Sequence, residues 1–413
     1  MNRLARRVQR TYLVLILGNT LAASFIWGIN TLFLLDAGLT NLEAFAANAF
    51  FTAGMVVFEI PTGVVADAWG RRTSYLLGTV VLAASTFLYY LLWQTHAPFW
   101  QWAAVSVLLG LGFTFFSGAV EAWLVDALAF AEFEDSLEAV FGRAQVVGGA
   151  AMLAGSVAGG YIAQVTSLGV PYLIRVATLG LMFVVAAVFM KDLGHVREAE
   201  QTPVQAIRTI VVTSLDHGLR NPPVRWLMLA APFTSGVGFY AFYAMQPFLL
   251  ELYGNTGAYG IAGLAAAIIA CSQMLGGLLA PRIRRMVRRR TSALIVAVVL
   301  ATLLLALLGI THSFVLALLL LVLWGMSQAA ALPVRQAYLN DLIPSRQRAT
   351  VLSFDSLMGS SGGVVVQPVL GRAADAWGYG PSYLVGAVIQ LVAVPFLYRS
   401  RREHDDADLS VRP

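Results

Sequence analysis

An all-α integral membrane protein, with twelve transmembrane helices in two pseudo-symmetric six-helix bundles, is the fold this sequence predicts. Three observations predict it: a composition too apolar for water, twelve apolar runs of spanning length, and a repeat that maps the first half of the chain onto the second.

Only 12% of the 413 residues are charged and 58% are hydrophobic, against roughly 25% charged in an ordinary soluble domain. The mean hydropathy is +0.73. A chain with so few charges cannot cover a surface facing water, so lipid is its solvent over most of its length. The formal net charge is +5. The positive residues cluster between apolar runs instead of covering a face with stacking aromatics, which excludes a nucleic-acid partner. Cys271 is the single cysteine, so no internal disulfide forms and the redox compartment stays open. The five histidines, His96, His195, His217, His312 and His404, have no ligand spacing. No metal site and no cofactor are expected.

A spanning helix needs about 20 apolar residues. Such runs fall at about 11–35, 43–66, 73–95, 99–128, 137–165, 168–192, 223–253, 257–280, 291–311, 313–342, 347–374 and 380–399. The first run is longer than the apolar core of a signal peptide, so it reads as a retained helix. The longest gap, about 193–222, carries Val204, Ile207, Ile210 and Val211 at helical spacing. An amphipathic helix on the membrane surface is expected there, with a solvated linker as the alternative. The expected organisation is a six-helix bundle over 1–192, a central loop over 193–222, a second bundle over 223–399 and a tail over 400–413.

Arginines set the orientation. Arg3, Arg6, Arg7 and Arg10 precede the first span, Arg71 and Arg72 follow the second, and Arg197, Arg208 and Arg220 lie in the central gap. Arg282, Arg284, Arg285, Arg288, Arg289 and Arg290 follow the eighth span, Arg346 and Arg348 the tenth, and Arg399, Arg401 and Arg402 lie in the tail. The alternate loops at 36–42, 96–98, 166–170, 254–256 and 375–379 hold no lysine or arginine. This asymmetry puts both termini in the cytoplasm of a multi-pass protein in the cell (plasma or inner) membrane.

The repeat appears at a shift of about 215 residues. Phe33-Leu34-Leu35-Asp36 ends the first span and Phe248-Leu249-Leu250-Glu251 the seventh. Glu121-Ala122-Trp123-Leu124-Val125-Asp126 ends the fourth and Gln336-Ala337-Tyr338-Leu339-Asn340-Asp341 the tenth. Tyr172-Leu173 opens the sixth and Tyr383-Leu384 the twelfth. Parallel six-helix halves are an architecture of secondary transporters, whose substrate cavity lies between the halves near the midplane.

The loop after the second span reads Gly63-Val64-Val65-Ala66-Asp67-Ala68-Trp69-Gly70-Arg71-Arg72. It closely resembles the signature loop of the major facilitator superfamily, glycine-x-x-x-aspartate-x-x-glycine-arginine-arginine. The resemblance implies that Gly63, Asp67, Gly70, Arg71 and Arg72 form a cytoplasmic latch in the outward-facing state. Asp67 would then face the N-terminus of the eleventh helix, whose positive end suits a carboxylate. Asp126 is counted with this latch. The alternative is a tight turn carrying positive-inside arginines. The matching loop after the eighth span, Gly277-Leu278-Leu279-Ala280-Pro281-Arg282, has Pro281 for the aspartate, and Asp341 is a possible substitute. The fifth span holds Ala151, Gly155-Ser156 and Gly159-Gly160. These resemble the motif of drug/proton antiporters in the twelve-helix branch, with alanine for the first glycine and Ser156 for the proline. Small residues four apart also allow close helix packing.

Ionisable groups inside spans are costly and mark function. At 1.5 Å per residue, Glu121 and Arg143 lie at one depth, as do Arg335 and Asp355. Two ion pairs are expected, either active in transport or locking neighbouring helices. Glu59 has no partner legible in sequence. Glu59, Glu121 and Asp355 are therefore the candidate proton-coupling groups, with a wet cavity around Glu59 as the alternative. Gln273 and Gln336 stand where the first half has Glu59 and Glu121. With Phe25, Trp27, Phe239, Tyr240 and Tyr243 they are candidates to line the cavity, or to pack.

The favoured function is secondary active, proton-coupled efflux of small amphipathic compounds by a monomer, with no enzymatic activity. Proton-coupled uptake of a metabolite and a non-transporting scaffold or sensor are the alternatives. No Walker loop, zinc spacing or nucleophile elbow stands in the sequence.

Overall fold

The structure is a computed structural model describing residues 3–116, 118–133, 136–194, 205, 208, 212, 215–344, 347–403 and 406–409. The described chain is helical, with one isolated bridge between Arg289 and Leu409. The first half contains α1a (Arg3–Trp27), α1b (Asn30–Asp36), α2 (Asn41–Trp69), α3 (Arg71–Gln94), α4a (Phe99–Thr114), α4b (Ala119–Phe130), α5 (Leu137–Val165) and α6 (Val170–Phe189). The second half contains α7 (Pro222–Tyr253), α8 (Tyr259–Met286), α9 (Arg290–Ile310), α10 (Phe314–Leu342), α11 (Arg348–Trp377), α12a (Tyr379–Leu391) and α12b (Ala393–Arg402). Taking each a/b pair as one span gives the twelve expected, with edges within a few residues at most ends.

The departures have local causes. Helix α1a starts eight residues before the apolar run, because Arg3, Arg6, Arg7 and Arg10 are exposed while Ala5, Val8, Tyr12 and Leu15 are buried on the opposite face. Long arginine side chains let a helix continue past the apolar boundary. The fourth span breaks at 115–118, where Gly118 has φ +68° before α4b starts. Eleven of the described helical segments are long and apolar enough to cross a membrane. The exception is α11, whose length suffices but which carries Asp355, Ser356, Ser360, Ser361 and Gln367. The amphipathic helix expected from Val204, Ile207, Ile210 and Val211 lies outside the described residues. Beyond it, Leu215–Leu219 form a short π-helical turn.

The chain divides into two compact units that do not follow chain order. Unit 1 comprises 1–38, 50–206 and 257–267, and unit 2 comprises 39–49, 207–256 and 268–413. Each unit therefore contains the first turns of a helix whose remainder belongs to the other.

The repeat is legible in the packing. Phe33 stacks on Tyr172 at 3.8 Å between ring centroids in unit 1, and Phe248 meets Tyr383 at 5.3 Å in unit 2. Trp123 and Tyr338, the aromatic pair at the 215-residue shift, are both buried; the Trp123 indole donates to the Lys191 carbonyl. Two helix starts are capped alike. Asp192, after α6, accepts the Arg72 backbone N–H at 2.9 Å, and Asp408, after α12b, accepts the Thr291 N–H at 2.7 Å. A carboxylate on otherwise unsatisfied N–H groups satisfies them and complements the helix dipole. Asp192→Ala is expected to cost about 1 kcal/mol of unit 1 stability, by the usual magnitude of a lost cap, read as a lower melting temperature in detergent.

Candidate functional site

In unit 2, helices α7, α10 and α11 line an open cleft of about 480 Å³ with both polar and apolar walls. At its heart Arg335 donates from Nη1 and Nη2 to the two carboxylate oxygens of Asp355, both at 2.6 Å. Asp355 is buried, with 6% of its surface exposed. Arg335 also donates to the Leu227 carbonyl at 3.4 Å. Each residue lies seven positions from the arginine-rich end of its helix, so the depths match at about 10 Å. Ser235, Ser356, Ser360, Gln336 and Asn340 supply neutral polar groups around the pair, and Phe239, Leu332 and Leu339 supply apolar wall. A smaller cavity of about 190 Å³ continues from Ser235 and Arg335 to Thr234 and Gln328. A bidentate arginine–carboxylate pair is rigid and directional. Removing one partner strands a charge in a low dielectric.

The cleft brings together Phe239, Arg335, Gln336 and Asp355 from the expected residues. Tyr240 instead is fully buried, and its hydroxyl pairs with that of Ser382. The next residue along a helix turns by about 100°, which takes Tyr240 into the core while Phe239 stays on the wall. Tyr243 and Gln273 are half-buried and outside the cleft lining. Phe25 and Trp27 are half-buried in unit 1.

The expected Glu121–Arg143 pair does not form. Both residues are exposed, and no ion pair joins them among the described residues. Equal depth along two helices does not fix which face either side chain takes. Glu121 is the third residue of α4b, in a first turn whose free N–H groups and dipole favour a carboxylate. The stretch from Glu121 to the end of the span lies within α4b, beyond the break, so the depth stands while the facing does not. Glu59 is half-buried in α2, two residues before Pro61.

The signature loop is built from the end of α2 and the start of α3. Gly70 has φ +96°, and a Cβ there would lie 2.3 Å from an Asp192 carboxylate oxygen, so only glycine fits. Asp67 pairs with Arg71 at 2.5 Å, and Arg72 donates to the Ala187 carbonyl at 2.6 Å. Gly63 has open space around it, and Asp126 is half-buried with its carbonyl close to Gly194. In the second half Asp341 pairs with Arg290 at 2.6 Å. Asp67→Asn removes the ion pair without cutting a helix, so it is expected to slow transport while leaving the melting temperature within a few degrees of wild type.

The small residues of α5 are contact points. A Cβ at Gly155 would lie 2.7 Å from Ser24 Cβ, and one at Gly159 would lie 2.0 Å from the Phe25 carbonyl oxygen. Gly160 meets α8 on another face: a Cβ there would lie 2.7 Å from the Tyr259 carbonyl oxygen, and one at Gly263 would lie 2.4 Å from the Ser156 carbonyl oxygen. Helices α1a and α5 can cross this closely only where side chains are absent. Asp192, Asp375, Asp408 and the buried Arg175 of α6 were not singled out from sequence. They stand near helix ends, where charge is ordinary.

The sequence profile of the Major Facilitator Superfamily matches residues 11–366. An uncharacterized MFS-type transporter, YxaM of Bacillus subtilis, is 24% identical over 399 residues, covering 92% of each chain. The class G tetracycline resistance protein of Vibrio anguillarum is 26% identical over 360 residues, covering 83% of this chain and 84% of that one. Among solved structures, the nucleoside transporter NupG superimposes with a TM-score of 0.78 at 11% identity, covering 97% of this chain and all of that one. A bacterial homologue of the human lysosomal transporter Spinster, in an inward-facing unoccupied conformation, does so with a TM-score of 0.74 at 15% identity over the whole of both chains. These likenesses share the fold. With twelve spans in two repeated halves, the signature loop at 63–72 and a profile match across most of its length, the chain belongs to the major facilitator superfamily and is a multi-pass secondary transporter, not an enzyme.

Proposed function

We propose that this transporter exports small amphipathic compounds in exchange for protons, by alternating access, as a monomer in the cell membrane with both termini in the cytoplasm. The arginine asymmetry of the loops supports the orientation. The observation that carries the coupling is the buried Arg335–Asp355 pair inside a cleft of mixed polar and apolar lining. When the helices around the cleft move and draw off the guanidinium, Asp355 loses its counter-charge. A buried carboxylate without one is neutralised by a proton. A proton or a cationic substrate supplies the missing charge there, so each excludes the other, as exchange requires. Glu59 and Glu121 are further carboxylates within the spans of unit 1, available to relay protons. The lining, with Phe239, Leu332 and Leu339 beside serines and amides, suits a molecule with an apolar body and few polar groups. The similarity to a tetracycline resistance protein across most of the chain supports the outward direction. The bundles over 1–192 and 223–399, joined by the 193–222 segment, are the bodies that rock.

The test is uptake of a fluorescent lipophilic cation into inverted membrane vesicles energised with a proton gradient. Wild-type uptake is expected to collapse with a protonophore, and Asp355→Asn or Glu59→Gln to cut it at least tenfold. Uptake that persists through a protonophore overturns proton coupling. Accumulation only in right-side-out vesicles replaces export by uptake.

A further inference from the structure

Two helix starts at the end with the arginine-free loops are held by side chains from the opposite half of the sequence, one in each unit. In unit 2 the Asp375 carboxylate, near the end of α11, accepts the backbone N–H of Asn41 on one oxygen and that of Leu42 on the other, both at 2.9 Å. The Tyr379 hydroxyl adds a hydrogen bond to the Asn41 side-chain oxygen. In unit 1 the Gln164 side-chain oxygen, near the end of α5, accepts the Gly260 N–H at the start of α8, at 3.2 Å. The two contacts are the same device at the repeat shift: α5 and α11 correspond, and so do α2 and α8. Glycines bring the backbones together in both. A Cβ at Gly371 would lie 2.9 Å from the Asn41 carbonyl oxygen, and one at Gly160 2.7 Å from that of Tyr259.

The residues around Asp375 explain why its carboxylate is available. Residues 374–378 read Ala-Asp-Ala-Trp-Gly, the same five as 66–70 in the signature loop. Both segments end a helix at the tryptophan, with a following glycine of near-identical conformation, φ +96° at Gly70 and +87° at Gly378. At the first copy the residue four positions on is Arg71, which takes the aspartate as an ion pair. At the second it is Tyr379, which brings no cation; Arg372, three residues earlier on the same helix, is exposed and forms no ion pair with Asp375 among the described residues, and Asp375 reaches the helix start instead.

We propose that Asp375–Asn41/Leu42 and Gln164–Gly260 are a pair of clasps that close the end with the arginine-free loops, with the Asp375 clasp the stronger. Each ties a helix of one sequence half to a helix of the other, so rocking of the halves breaks both once per cycle. An ionised acceptor on two N–H groups holds more tightly than one neutral amide oxygen on one. The clasp strength therefore sets the population of the closed state. This holds for either direction of transport and any coupling ion, so its failure leaves the proposed export untouched, and the reverse.

The test places spin labels on Thr95→Cys and Thr256→Cys, in exposed loops at this end, after Cys271→Ser removes the exposed native thiol. Distance distributions are measured in lipid nanodiscs. Asp375→Ala is expected to raise the ratio of long-distance to short-distance populations about fivefold, the usual worth of a helix cap. Gln164→Ala should raise it less than twofold, and Gln164→Glu should lower it. Hydrogen exchange over residues 39–49 reports whether α2 still forms. If α2 frays in Asp375→Ala with no change in the distances, the carboxylate is a local cap only and the clasp is overturned. Should that variant not fold, Asp375→Asn keeps one acceptor oxygen and must shift the ratio in the same sense by a smaller factor; an unchanged ratio overturns the proposal equally.

Discussion

Replacing Arg335 with methionine is expected to abolish transport and to destabilise unit 2 by about 3–5 kcal/mol, the usual cost of stranding one member of a buried ion pair. The guanidinium holds both oxygens of Asp355, which is 6% exposed, so the carboxylate left behind has neither its counter-charge nor free access to water. Asp355→Leu on that background removes the stranded charge. The double variant should recover most of the lost stability, because well-packed apolar residues commonly replace a buried pair without loss. It should not recover transport, because the proton-binding group is gone. Melting temperature in detergent and uptake in vesicles measure the two effects separately. A single variant as stable as wild type would show the pair to be solvated and remove the electrostatic basis of the proposed coupling.

Alanine at Gly362 is expected to be nearly as damaging, by steric means. Its Cβ would fall 2.0 Å from the Pro232 carbonyl oxygen and 2.5 Å from that residue's carbonyl carbon and Cα. These are backbone atoms of α7, which cannot swing aside as a flexible side chain would. The two helices must separate, at about 3 kcal/mol or more, the upper range for overpacking. Gly159→Ala should behave alike, since its Cβ would meet the Phe25 carbonyl oxygen at 2.0 Å. Gly180→Ala and Gly277→Ala are the controls. Both glycines are in helices with nothing within 4 Å of the added carbon, and alanine there should be neutral or stabilising. Melting temperatures that fail to separate the two pairs of variants would remove close helix crossing as the reason for these glycines.

Much of this chain is legible without coordinates because lipid imposes one-dimensional rules. A spanning helix satisfies its own backbone, so length and hydropathy suffice to find it. The arginine clusters, the signature loop and the Phe33/Phe248 and Tyr172/Tyr383 matches are visible as text. The Arg335–Asp355 pair was legible too, since α10 and α11 are continuous where those residues stand and depth counts correctly along them. Equal depth did not pair Glu121 with Arg143, both exposed, because depth along a helix leaves its rotation open.

The sequence alone therefore determined the fold class, the number and order of spans, the repeat and the Arg335–Asp355 pair, all properties of single helices or of their spacing along the chain. Tertiary structure decided which side chains share a cleft, why Tyr240 leaves the wall that Phe239 keeps, and which carboxylates cap the helix starts at Arg72, Thr291 and Asn41. These depend on helix rotation and on crossings between segments far apart in the chain. In this protein the crossings are set by glycines such as Gly159 and Gly362, whose significance lies in the backbone atoms they face and has no signal in local sequence.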